Sequence, residues 1–152
     1  MERLAGLLAG TWLGVQITAG YIAAPLLFEH FNKMDAGNIA GSMFTVSAYW
    51  GMAAWLLAYF LVRREQNRSF SRHHREIAPK FMVLLLVLLA VNQFLVTPVI
   101  EALKTGGANW LHGLIGGTFG MWHGVSSIIY LLCTLLGVGL LLRYGRFDVR
   151  SS

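Results

Sequence analysis

Apolar and polar positions separate along this chain into four long apolar runs joined by short polar segments. Leu4–Phe28, Ala36–Val62, Phe81–Ile100 and Phe119–Leu142 contain no Asp, Glu, Lys or Arg. They are 25, 27, 20 and 24 residues long, and a helix needs about 20 apolar residues to cross a bilayer. Hydrocarbon offers no water to open backbone groups, so each run is expected to be a helix that satisfies its own hydrogen bonds. The runs account for 96 of 152 positions, and the remainder is too short for a separate soluble domain. The pattern therefore predicts an all-α fold of one domain, 1–152: an integral membrane four-helix bundle.

Composition sharpens this. Hydrophobic residues make up 56% and charged residues 12% of the chain, with a mean hydropathy of +0.58, whereas soluble domains carry about 25% charged residues. The first run exceeds the roughly 7–15 residues of a signal-peptide core, and Ala23-Ala24 is followed by Pro25 rather than by a cleavage site. It is read as a retained span. Ten Lys and Arg (Arg3, Arg63, Arg64, Arg68, Arg72, Arg75, Lys80, Arg143, Arg146 and Arg150) fall on one side of the four spans, against Lys33 and Lys104 on the other. The positive-inside rule then places both termini and the 63–80 loop in the cytoplasm. The net charge of +5 follows from that topology and from contact with anionic lipid, and nucleic acid is not an expected partner.

Helices in lipid associate through close backbone approach and a few interhelical hydrogen bonds. Gly6, Gly10, Gly14 and Thr18 form a stripe at four-residue spacing, as do Gly116, Gly120 and Gly124. Within the second run, Gly37 with Gly41, Ser47 with Gly51 and Ala54 with Ala58 repeat the spacing. The two glycine stripes are expected to tighten the bundle and are candidates for a homo-oligomer face. Gln16, Trp50, Asn92 and Tyr130 fall near the span centres. An unpaired polar group there costs several kcal/mol, so all four are expected to face inward.

No ionisable Asp, Glu, Lys or Arg lies within a span, which speaks against a proton-coupled carrier or ion pump. Ionisable groups collect on the outer side: Glu29, His30, Lys33, Asp35, Glu101, Lys104 and His112, with His123 just inside the fourth span. Imidazole and carboxylate together suit a first-row metal, making His30, His112 and His123 candidate ligands, but no short ligand spacing joins them. Two intramembrane histidines for haem are lacking, and the lone Cys133 offers no disulfide or metal motif. No cofactor is expected. His73 and His74 read as solvated residues of an Arg-rich loop. The 101–118 loop is glycine-rich yet carries Trp110, Leu111, Leu114 and Ile115. It is expected to lie at the interface, with a short helix over Trp110–Ile115 and Trp110 as an aromatic anchor. Pro25 and Pro98 sit near the outer ends of the first and third spans, each removing a backbone donor, and together they suggest a shallow outward-facing pocket.

Three patches carry a resemblance: Gly20-Tyr21-Ile22-Ala23-Ala24-Pro25-Leu26-Leu27-Phe28; Ala36-Gly37 with Gly41-Ser42-Met43-Phe44; and Phe119-Gly120-Met121-Trp122-His123-Gly124-Val125-Ser126. The chain resembles a bacterial four-span membrane family of unknown function, related to the eukaryotic transmembrane-protein-205 group. It departs from the family pattern in having Tyr130 where an Asn follows the last patch. The resemblance implies a multi-pass protein of the bacterial cytoplasmic (inner) membrane with no established enzymatic activity. It points to Pro25, Phe28, Gly37, Gly41, Phe44, His123 and Ser126 as the functional residues. The expected role is non-enzymatic: binding a partner or small hydrophobic ligand in the outer half of the bundle. The alternative is a small transporter or metal-handling protein using outer-side His with carboxylate or Met residues.

Overall fold

A computed structural model describes residues 2–66 and 77–148, with side chains over 3–64 and 78–143. The expectations for His73, His74 and most of the 63–80 loop lie outside the described residues. Every described regular element is helical. Four helices are long and apolar enough to cross a membrane: Arg3–His30, Lys33–Arg64, Ala78–Thr105 and Phe119–Arg143. Each extends past the charge-free run that predicted it, because residues such as Lys33, Asp35, Glu101 and Lys104 continue the helical backbone beyond the apolar stretch.

Side-chain caps and left-handed glycine set the helix ends. Asn32 Oδ1 accepts from the Asp35 backbone N–H at 3.0 Å, while Asn32 Nδ2 donates to the Asp35 carboxylate at 2.6 Å, so two polar side chains start the second helix reciprocally. Gly106 ends the third helix at φ 70°, a conformation that favours glycine. The short connector helix Trp110–Ile115 forms where expected, with Asn109 Oδ1 accepting from the Leu111 and His112 backbone. Trp110, Leu114 and Ile115 are exposed along it.

The helices pack as a ring in which the first contacts the second and fourth, and the third contacts the same two. In the half nearest the termini, all four meet in one core. Ala5, Ala9 and Trp12 pack there with Ala54, Trp55 and Ala58, with Met82 and Leu85, and with Cys133 and Leu140. Trp12 is its centre. The indole meets Trp55 edge-on at 5.7 Å and donates to the Ser47 carbonyl at 3.1 Å. It lies so close to Gly51 and Gly137 that a Cβ at either position would overlap it. In the half farther from the termini, the second core cluster is smaller, with buried Val96, Val99 and Ile100 of the third helix and Trp122 of the fourth, and half-buried Val91, Leu103, Leu111 and Ile129 packed against them.

Three packing expectations need correction. On the first helix Ala5, Ala9, Trp12, Leu13, Gln16 and Ala19 are buried, Gly6 and Gly10 are half-buried, and Gly14 and Thr18 are exposed, so the glycine stripe runs beside the buried face and leaves it at Gly14. A large indole and its alanine neighbours fill the interior in its place. Gly116 does not share a stripe with Gly120 and Gly124, because it lies before the fourth helix at φ 71°, capping the connector. Trp50 faces outward at 40% exposure; Trp12 and Trp55 occupy the interior, and an amphipathic indole is tolerated against lipid.

The first and third helices carry the same irregularity. Each has a π-helical turn, Thr18–Ala23 and Asn92–Val96, just ahead of its proline. Proline cannot donate to the carbonyl four residues back, and the wider i→i+5 turn absorbs the mismatch. The Ala24 N–H reaches back to the Ala19 carbonyl and the Thr97 N–H to the Asn92 carbonyl. The Thr97 hydroxyl also donates to the Asn92 carbonyl at 2.9 Å.

Candidate functional site

Where the four-helix core gives way to the smaller one lies a partly open cavity of about 780 Å³ lined by all four long helices. That is within the usual range of small-molecule sites, about 300–1,000 Å³. The π turns help to open it, since Gly20, Tyr21, Asn92 and Gln93 within them all line the wall.

The inner end is polar but uncharged. Gln16, only 1% exposed, is held on two sides. Its Oε1 accepts from the Ser47 hydroxyl at 2.7 Å, and its backbone carbonyl accepts from the Tyr130 hydroxyl at 2.5 Å. The Tyr130 ring lies against Gly20, where a Cβ would overlap it, and is tilted onto Phe44 at 5.1 Å between ring centres. Two buried polar atoms at this level, Gln16 Nε2 and Asn92 Oδ1, have no hydrogen-bond partner among the described residues. Both side chains line the cavity. Of the four central polar residues expected to face inward, Gln16, Asn92 and Tyr130 do so, and Trp50 does not.

Toward the end farther from the termini, the wall is apolar and then charged at its rim. Pro25, Phe28, Gly37 and Gly41 line it from the first two helices, and Phe44 follows deeper. His123 and Ser126 line the opposite side, with the His123 ring stacked parallel on Phe119 at 5.8 Å. The seven residues singled out in the sequence therefore share one cavity. At the rim, Lys104 Nζ donates to Glu101 Oε1 at 2.8 Å and reaches the Gly37 carbonyl of the second helix at 3.4 Å, with Lys33 nearby on the lining. Sequence reasoning missed Tyr21, Thr45, Gln93 and Thr97 on the wall. The pairing of Gln93 with Thr97 at helical spacing, directly before Pro98, was the available signal.

The candidate metal ligands are not brought together. His30 Nδ1 bonds its own helix at the Leu26 carbonyl (2.9 Å), and His112 Nε2 bonds the Gly117 carbonyl (3.0 Å). Only His123 lines the cavity. No group of three His, Cys, Asp or Glu side chains suited to a metal occurs among the described residues. The connector is pinned by the same histidine bond and by Trp122 Nε1 donating to the Gly116 carbonyl at 3.0 Å, so the loop beside the cavity is tied to the fourth helix.

No curated protein and no solved structure matches this chain. A family described as a domain of unknown function, DUF4149, matches residues 7–109, which takes in the first three long helices except the opening turn of the first, and three of the four cavity walls. The chain belongs to the DUF4149 family.

Proposed function

We propose that this protein is a non-enzymatic membrane receptor for a small hydrophobic or amphipathic molecule, held in the cavity between the four helices. The observation that carries this reading is the change of packing along the bundle. One half is closed around Trp12, whereas the other leaves about 780 Å³ lined mainly by apolar side chains with a few converging polar groups. That combination is the usual make-up of a small-molecule site. The Lys and Arg distribution supports an orientation with the cavity opening toward the non-cytoplasmic side, in the inner membrane of a bacterium. The proposed kinship with the eukaryotic transmembrane-protein-205 group rests on the three sequence patches, whose singled-out residues line this cavity.

Filling the cavity tests the reading. A Cβ at Gly41 would make only ordinary contacts, 3.7 Å from Glu101 Oε1 and from Lys104 Nζ, so Gly41→Phe places a ring in the cavity without disturbing a packed interface. A molecule bound only by the folded state raises its stability, by about 2.7 kcal/mol at a hundredfold excess over Kd. Thermal unfolding against a panel of small apolar and amphipathic compounds is expected to give compounds that stabilise the native protein and not Gly41→Phe. Equal stabilisation of both proteins by every active compound would contradict it.

A further inference from the structure

The polar atoms at the inner end say what kind of molecule fits, granted the ligand-binding reading above. Gln16 Nε2 is a donor and Asn92 Oδ1 an acceptor, and both are buried without a partner among the described residues. An alkyl terminus pushed against them would leave both unpaired. A charged group would have to shed its water at a level where no Asp, Glu, Lys or Arg lines the cavity; Lys33, Glu101 and Lys104 all belong to the rim. A neutral group that both accepts and donates matches the two atoms once the amides turn toward the cavity, and a hydroxyl is the smallest. The apolar wall of Phe28, Phe44 and Ile129 then suits a hydrocarbon body trailing behind it.

We propose that the ligand is an uncharged, hydroxyl-bearing lipid-like molecule bound hydroxyl-first, with the hydroxyl accepting from Gln16 and donating to Asn92. The Ser47 hydroxyl bond to Gln16 Oε1 holds that side of the amide before the ligand arrives, and the Tyr130 bond to the Gln16 carbonyl fixes the backbone that carries it.

Photolabelling in nanodiscs tests this with three diazirine-bearing alkyl chains of equal length, ending in a hydroxyl, a methyl or a carboxylate group. Leaving buried polar partners unpaired corresponds to roughly tenfold or more in binding. The hydroxyl-ended chain is therefore expected to label peptides containing Gly20–Phe28 and His123–Tyr130 roughly tenfold more than the other two. Asn92→Leu, and separately Gln16→Leu combined with Ser47→Ala, are expected to abolish the preference while keeping native helical content; the second variant serves if the first does not fold. Cavity labelling that is equal for the three chains, or a preference that survives both variants, overturns the hydroxyl assignment and leaves the binding reading standing. Absence of cavity labelling by any chain overturns both.

Discussion

The Tyr130 hydroxyl donates to the Gln16 backbone carbonyl at 2.5 Å, and its ring rests on Gly20. This single contact ties the fourth helix to the first across 114 residues of chain. It does so at the level where the closed half of the bundle gives way to the cavity, so Tyr130 both fastens the bundle and forms part of the site. Interhelical bonds of this kind average about 0.6 kcal/mol in membrane proteins. Tyr130→Phe, which keeps the ring, is expected to lower stability by about that amount in a denaturation series in mild detergent. A loss of several kcal/mol would mean that the hydroxyl does more than this bond.

Three glycine substitutions separate close approach from mere helix propensity. Gly14 has no other atom within 4 Å of a would-be Cβ, so Gly14→Ala is expected to be neutral or to stabilise by up to about 1 kcal/mol. Gly51→Ala drives a methyl into the Trp12 indole, and Gly20→Ala drives one into the Tyr130 ring. Each is expected to destabilise by about 1–3 kcal/mol. Thermal unfolding of the three variants side by side decides the point, and similar midpoints for all three would show that these contacts do not hold the bundle.

Metal content discriminates the principal alternative. With His30 and His112 bonded to backbone carbonyls in separate segments, protein purified without chelator is expected to carry far less than one transition metal per chain by plasma emission spectrometry. A stoichiometric metal that disappears in His123→Ala would favour metal handling instead.

Topology can be read by cysteine labelling. The native thiol, Cys133, is buried at 1% exposure and gives little background. Gly107→Cys, in the exposed turn after the third helix, is expected to react with a membrane-impermeant maleimide in intact cells. Arg64→Cys, at the other end of the second helix, is expected to react only after permeabilisation. The reverse pattern would invert the proposed orientation.

Much of the fold was legible in the sequence because hydrocarbon imposes a rule that length and charge obey openly. Four uncharged runs became four helices, and the apolar Trp110, Leu111, Leu114 and Ile115 in a glycine-rich loop marked the connector. The rotation of the helices was less legible. The spacing of Gly6, Gly10 and Gly14 suggested an interior stripe, but which face turns inward is settled by the bulk of Trp12 fitting against Gly51 and Gly137, residues far apart in the chain. Similarly, Pro25 and Pro98 announced a disturbed backbone, but not that π turns would carry Gly20, Tyr21, Asn92 and Gln93 to the cavity wall. The seven singled-out residues proved to share one cavity, because both hairpins bring their far halves to the same end. The three histidines did not assemble, because His30 and His112 bond carbonyls of their own segments and only His123 reaches the cavity.

The most direct test of the central claim is native mass spectrometry of the protein released from nanodiscs under gentle activation. Binding in the cavity should give a population carrying one small molecule per chain, retained by the native protein and by Gly14→Ala and lost in Gly41→Phe. Bare protein in all three, or a bound mass that Gly41→Phe keeps undiminished, would contradict it.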